Sequence, residues 1–221
     1  DWSSDVCSSD LEDDDIILLI DGDDALVNNP NVFNIINNKY NEGAEFTYGS
    51  CWSEVDNIPL ISQPYPPEIK KEKKYRDYHF TWKMPYTHLR SFKRKLINNI
   101  PESNFQDENG NWFKAGGDNS TFYNILEQAD PDKVVCIPDI LYLYNDKNPL
   151  NDYKVNPIEQ NQTRDIVMNK KKVLIAIPTA RYIEPETFKC IYDQIIPENV
   201  EVDFQYFYGY RVDQIRNLIS D

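Results

Sequence analysis

An α/β fold in two successive units is predicted for this chain of 221 residues, on three observations. Short, branched apolar runs alternate with stretches of helical spacing from Ile16 onward. The first such run lies within Ile16 to Leu26, IILLIDGDDAL, and empties into Asp21, Gly22, Asp23 and Asp24. At Lys170 the composition changes abruptly, and KKKVLIAIPTA begins the alternation a second time.

Residues 1–11, DWSSDVCSSDL, stand outside this pattern. They are what a nucleotide-sequencing adapter yields when translated in frame, so no fold argument rests on them. The remainder is expected to be a piece of a longer reading frame.

In order, the continuous run Ile16 to Ile20 suits a parallel strand buried on both faces. Asn29 and Pro30 are placed to cap and open a helix through Val32, Phe33, Ile35, Ile36 and Tyr40, with Gly43 to end it. Glu45 to Tyr48 reads as a short strand. Residues 57–86, rich in proline and basic side chains, read as an excursion over the substrate side, where loops carry specificity. A strand at His88 to Lys93 and a polar turn at Asp107 to Asn111 follow. Gly116, Gly117 and Asp118 then lead into a helix, Asn119 to Ala129, with Phe122, Ile125, Leu126 and Ala129 at helical spacing. At that entrance Asp118 is also placed to be an N-cap, a role worth about 1 kcal/mol. Strands are expected at Val134 to Ile137 and Ile140 to Tyr144, and the Asn- and Asp-rich stretch Asn145 to Asn169 reads as tail plus linker. The second unit is expected to hold the strand after Lys170, a helix at Pro185 to Ile195, a strand at Val200 to Tyr208 and a helix at Val212 to Ser220.

The formal net charge is -14, and although Asp1, Asp5 and Asp10 fall in the excluded segment, the rest stays acidic. That argues against a nucleic-acid binder held by general electrostatics. Ten of the 23 lysines and arginines crowd into Lys70 to Lys95, either as a solvated face or as a patch meeting a diphosphate or anionic acceptor. Apart from Cys7, the cysteines Cys51, Cys136 and Cys190 are odd in number and far apart, with neither a disulfide framework nor a zinc spacing. The longest apolar runs are about five residues, against the roughly 20 a membrane helix needs. With no signal peptide legible, the expectation is a cytoplasmic chain without a transmembrane segment.

The chemistry is concentrated in the first acidic motif. Two aspartates separated by one small residue can converge on one hard cation, and a phosphate-bearing ligand can supply further oxygens. Open parallel sheets bind ligands outside the carboxyl ends of their strands, where these aspartates are expected.

Strand, Asp-Gly-Asp-Asp, helix, short strand, basic excursion and Gly-Gly-Asp-Asn opening a helix together resemble the catalytic half of family 2 glycosyltransferases. The resemblance implies a GT-A-like (Rossmann-like) mixed sheet, incomplete, followed by the start of a second α/β unit. It divides the chain into the C-terminal half of one such domain at 12–153, a linker at 154–169 and the N-terminal part of a second at 170–221. It also implies that Asp21 and Asp23 hold a Mg or Mn ion gripping the diphosphate of a nucleotide-sugar donor, with a UDP-sugar as first guess. Asp24 would line that donor site, and Pro178 and Thr179 would line the donor site of the second domain, because Ile177-Pro178-Thr179 matches the strand end beside the nucleotide. Arg216-Asn217 matches a frequent pair in the following helix. Asp118 corresponds to the second member of the family's usual Glu-Asp pair and would be the catalytic base in an inverting transfer to a glycan, protein or lipid-linked acceptor. The Glu is absent, and so is a histidine that members often carry beyond the base helix, where this chain has Leu143-Tyr144-Asn145-Asp146. His79 and His88 read as ordinary surface or sheet residues. Trp52, Trp82 and Trp112 are either core or rim aromatics or platforms for sugar rings.

Two other readings compete. Haloacid-dehalogenase-like phosphatases also open with an apolar strand and Asp-x-Asp, which would make Asp21 a nucleophile and Asp23 its acid/base. Their usual Gly-Thr is replaced here by Asp24-Ala25. Alternatively, the chain is a non-catalytic remnant of a transferase. A calcium loop is less favoured still, because its twelfth position, Val32, offers no carboxylate.

Overall fold

The computed structural model describes residues 11–79, 87–98, 100–107, 109–169, 171–179 and 200–208. Contacts divide the chain into two compact units, 1–164 and 165–221. The first is built on a six-stranded mixed sheet, as the α/β prediction requires. Its strands are β1 (Ile16–Leu19), β2 (Ala25–Leu26), β3 (Phe46–Ser53), β4 (Ile58–Leu60), β5 (Thr87–Lys93) and β6 (Val134–Tyr144), in the order β1-β5-β3-β6-β2 with β4 added to β3.

Central strand β3 pairs in parallel with β6, whereas β1 with β5, β3 with β5, β3 with β4 and β2 with β6 are antiparallel. The expectation of a doubly buried parallel strand at Ile16 to Ile20 is therefore corrected. β1 is an antiparallel edge strand, paired on one side only and half exposed, because a branched apolar run favours a strand without specifying its direction or neighbours. The two strands expected at Val134 to Ile137 and Ile140 to Tyr144 are one. Gly49 pairs with Ile137 and Ser50 with Ile140, so Pro138 and Asp139 bulge out between them. A Cβ on Gly49 would lie 3.3 Å from the Ile137 carbonyl oxygen, which explains glycine at this close approach.

Helices pack on both faces of the sheet. Helix α1 (Val32–Asn41) buries Val32, Ile36 and Tyr40 against Cys51, Leu89, Ile137, Leu141 and Tyr142. It begins two residues later than Asn29 suggests, because the Asn29 side chain accepts the Asn31 N–H at 2.9 Å in an Asx turn. Gly43, at φ +104, ends it as expected. On the same face Tyr40, Thr47 and Ser91 join hydroxyls at 2.8 and 2.6 Å. One residue along each strand, Phe46 and Phe92 point the other way and stack at 6.4 Å. Phe122 of the helix Gly117–Gln128 meets Phe46 edge-on at 6.3 Å.

The excursion folds into two short helices, α2 (Pro67–Lys71) and α3 (Tyr75–His79), and the Gly117–Gln128 helix is α4. Much of the basic patch is used internally. Lys70 and Lys73 donate to the carbonyls of Val134 and Glu127, and Arg76 grips Glu127. The stretch expected as tail plus linker is helical at α5 (Asp152–Val155) and α6 (Pro157–Asn169). Pro157 has the pre-set φ that starts a helix, and Glu159 sits in its first turn.

In the second unit β7 (Lys171–Thr179) and β8 (Val200–Tyr208) pair in parallel from Lys171↔Val200 to Thr179↔Tyr208, matching the predicted strands. The predicted helices at 185–195 and 212–220 lie outside the described residues.

Candidate metal and catalytic site

Strand β1 ends in a β-turn. The Asp24 N–H donates to the Asp21 carbonyl at 3.1 Å, which makes the two residues the first and last of that turn and brings their side chains together. Register supplies the next member. Leu19 pairs with Arg90 in antiparallel β5, so two residues further along β1 the chain runs beside His88. Asp21, Asp24 and His88 each offer a ligand atom, and the three atoms lie within 4.8 Å of one another. The Asp21 N–H donates to the Tyr142 hydroxyl at 2.9 Å, tying the turn to β6.

Asp23 is turned elsewhere. Its carboxylate accepts the Asn148 side-chain amide, and its carbonyl accepts Asn145 Nδ2 at 3.1 Å. The backbone N–H of Asn145 reaches Asp24 Oδ1 at 2.8 Å. The Asn-rich segment after β6 therefore works as a latch across the acidic turn, a role its composition did not announce.

Asp118 comes from helix α4, on the face of the sheet that Phe46 and Phe92 line. Helix α4 starts at Gly117 with Gly116 as its N-cap, at φ +69, so Asp118 is in the first turn and not the cap. A carboxylate there complements the helix dipole. Its Oδ2 lies 3.8 Å from Arg90 Nη1, while Phe122, one turn later on α4, sits 4.1 Å beneath the same guanidinium. Arg90 is only 7% exposed at its side chain and Asp118 is 49% exposed, so a buried cation backs an accessible carboxylate.

Burial raises Asp21 above the usual aspartate range; Arg90 opposes the shift, and Asp24, Asp118 and Asp23 add to it. Acids nearly a hundred residues apart in sequence thus act on one another around Arg90. Burial also raises Asp24, against the pull of the Asn145 N–H. Asp24 Oδ2 is buried with no partner of hydrogen-bonding geometry, although the Tyr142 hydroxyl lies close enough to favour the ionised form. An orphaned carboxylate oxygen beside two further donor groups is what a divalent cation would satisfy, so the residues fit such an ion.

His88, its side chain 18% exposed, stacks on Tyr142 at 4.9 Å and on Tyr144 at 5.2 Å. Burial, with Arg90 adding to it, pulls its imidazole down to about 2 and keeps it neutral. His88 and Arg90 were missed in the sequence. The available signal was their spacing, two apart in one strand. Of the other candidates, Pro178 and Thr179 end β7 in the second unit, and their side chains lie outside the described residues, as do Arg216, Asn217 and Trp82. Trp52 is half-buried on β3, and exposed Trp112 stacks on Phe105 at 6.4 Å.

No family model, curated protein or solved structure matches this chain. Among the described residues no helix is long and apolar enough to cross a membrane.

Proposed function

We propose that this chain carries the metal-binding and catalytic half of a nucleotide-sugar glycosyltransferase of the GT-A, family 2 type. One observation carries the reading: Asp118 from a distant helix lies 3.8 Å from the buried Arg90, whose charge also acts on Asp21 beside Asp24 in the acidic turn. The order of elements around them also agrees with the resemblance, from strand and acidic turn through helix, strand and excursion to the helix opening at Gly117-Asp118.

Asp21 and Asp24 would hold a Mn or Mg ion. When bound, that ion supplies Lewis-acid neutralisation of the charge on a departing diphosphate. Asp118 takes the proton of the acceptor hydroxyl as that oxygen forms its bond to the anomeric carbon, and the bond to the nucleoside diphosphate breaks on the opposite side, inverting the configuration. Arg90 lies behind Asp118 and orients it. The phosphatase alternative needs Asp23 available to move a proton at Asp21, whereas its carboxylate is engaged by Asn148.

Calorimetric titration of Mn with and without UDP tests the reading. UDP binding that requires Mn and is lost in Asp21→Asn is the expected result. Metal binding indifferent to UDP and to other nucleoside diphosphates would overturn it.

A further inference from the structure

His88 meets the acidic site with both ring nitrogens. Nδ1 lies 3.9 Å from Asp21 Oδ2, and Nε2 lies 3.5 Å from Arg90 Nη2. A histidine that ligates a metal through one nitrogen ordinarily donates the N–H of the other to an acceptor. The group facing Nε2 here is a guanidinium, which has five donors and no acceptor. For that contact to be a hydrogen bond, Nε2 must carry the lone pair. The neutral ring then bears its proton on Nδ1, on the side of Asp21.

The parts are held so as to keep this arrangement. Two tyrosine rings sandwich the imidazole, and Phe122 supports the guanidinium whose other nitrogen faces Asp118. Moving the proton to Nε2 to free Nδ1 for a metal would set an imidazole N–H against a guanidinium N–H in a buried place, which is a costly pairing of two donors.

We propose that Arg90 and His88 form a positioning relay for the acidic turn: Arg90 fixes His88 as the Nδ1–H tautomer, and His88 turns that N–H toward Asp21 without ligating the metal. The cation-holding set is then carboxylate only, a hard oxygen site suited to Mg or Mn, where an imidazole ligand would draw in zinc. The relay also runs from Asp118 through Arg90 and His88 to Asp21, joining the base to the metal site. Its purpose rests on the transferase reading, whereas the tautomer is a property of the free chain.

The chain has two histidines, so a long-range proton–nitrogen NMR spectrum of the full chain contains two imidazoles, and His79→Gln assigns them. The expected spectrum has His88 protonated at Nδ1 and bare at Nε2, unchanged by added Zn, the ion most inclined to claim an imidazole. An Nε2–H ring in the free chain, or loss of the Nδ1 proton on adding Zn, would overturn the proposal. Arg90→Lys is expected to give a mixture of tautomers, and a ring unchanged by that substitution would remove Arg90 from the relay. Rescue supplies a further arm. His88→Asn, which keeps an N–H near the Nδ1 position, should retain most Mn affinity, while His88→Phe, which keeps only the ring stack, should lose about 10–100-fold. Equal loss in both would count against a donor role, and if His88→Phe does not fold the spectrum of the native chain still decides. An Nδ1–H ring with no Mn-dependent UDP binding would leave the relay standing and remove the transferase reading.

Discussion

Asp118 is reachable from solvent yet backed by a buried cation, and this asymmetry suits it to accept a proton from a bound hydroxyl. Asp118→Asn keeps the shape and removes the basicity, so transfer is expected to fall by about 10²- to 10⁴-fold while Mn-dependent UDP binding persists. Steady-state rates beside calorimetry check this, and parallel loss of both would make Asp118 a binding residue instead. At this scale Asp21 and Asp118 could be singled out because each sits in a recognisable motif, Asp-Gly-Asp-Asp and Gly-Gly-Asp-Asn. Asp24 entered only as a donor-site contact, since its meeting with Asp21 depends on how the turn closes. His88 and Arg90 look like any strand residues until β5 is laid antiparallel to β1, a pairing that no local pattern dictates.

Two ion-pair devices tie elements together, and each makes its own prediction. Arg76 of α3 holds Glu127 of α4 through two bonds, at 2.7 and 2.9 Å, and donates to Asn124 at 2.8 Å. The side chains are only 10% and 13% exposed, so Glu127→Ala would strand a buried guanidinium and destabilise the first unit by about 3 kcal/mol. Urea unfolding measures it, and Arg76→Met with Glu127→Leu should recover most of the loss. At the start of β3, burial works to raise Glu45, but Lys95, the Asp130 N–H and Lys133 outweigh it and draw the carboxyl down to about 2. Because the folded pKa is depressed, the stability it confers is full above the ordinary glutamate value of 4.5 and lost as pH falls toward 2. Urea midpoints across that window should decline less steeply in Glu45→Gln, and identical slopes would refute the assignment. Helix α1, β5 and β8 were legible from periodicity and composition. Helix α6 was not, because Asn- and Asp-rich sequence argues for a turn until Pro157 is given its role as a helix opener.

The division at 164/165 bears on where a donor would be held. The family resemblance assigns Pro178 and Thr179 to a donor site, yet they belong to the β7–β8 unit, whereas Asp21, Asp24, His88, Arg90 and Asp118 all belong to the first. A ligand stabilises only the unit that binds it, by RT ln(1 + [L]/Kd), which is about 2.7 kcal/mol at a hundredfold excess over Kd. Scanning calorimetry of the full chain is expected to resolve separate transitions for the two units. Mn with UDP should then raise the transition of the first unit alone, and Asp21→Asn should abolish the rise. A joint upward shift of both transitions would instead mean that the second unit holds a donor of its own, the role that the resemblance assigns to Pro178 and Thr179. A shift of the second transition only would move nucleotide binding away from the acidic turn and leave that turn as a metal site without a donor.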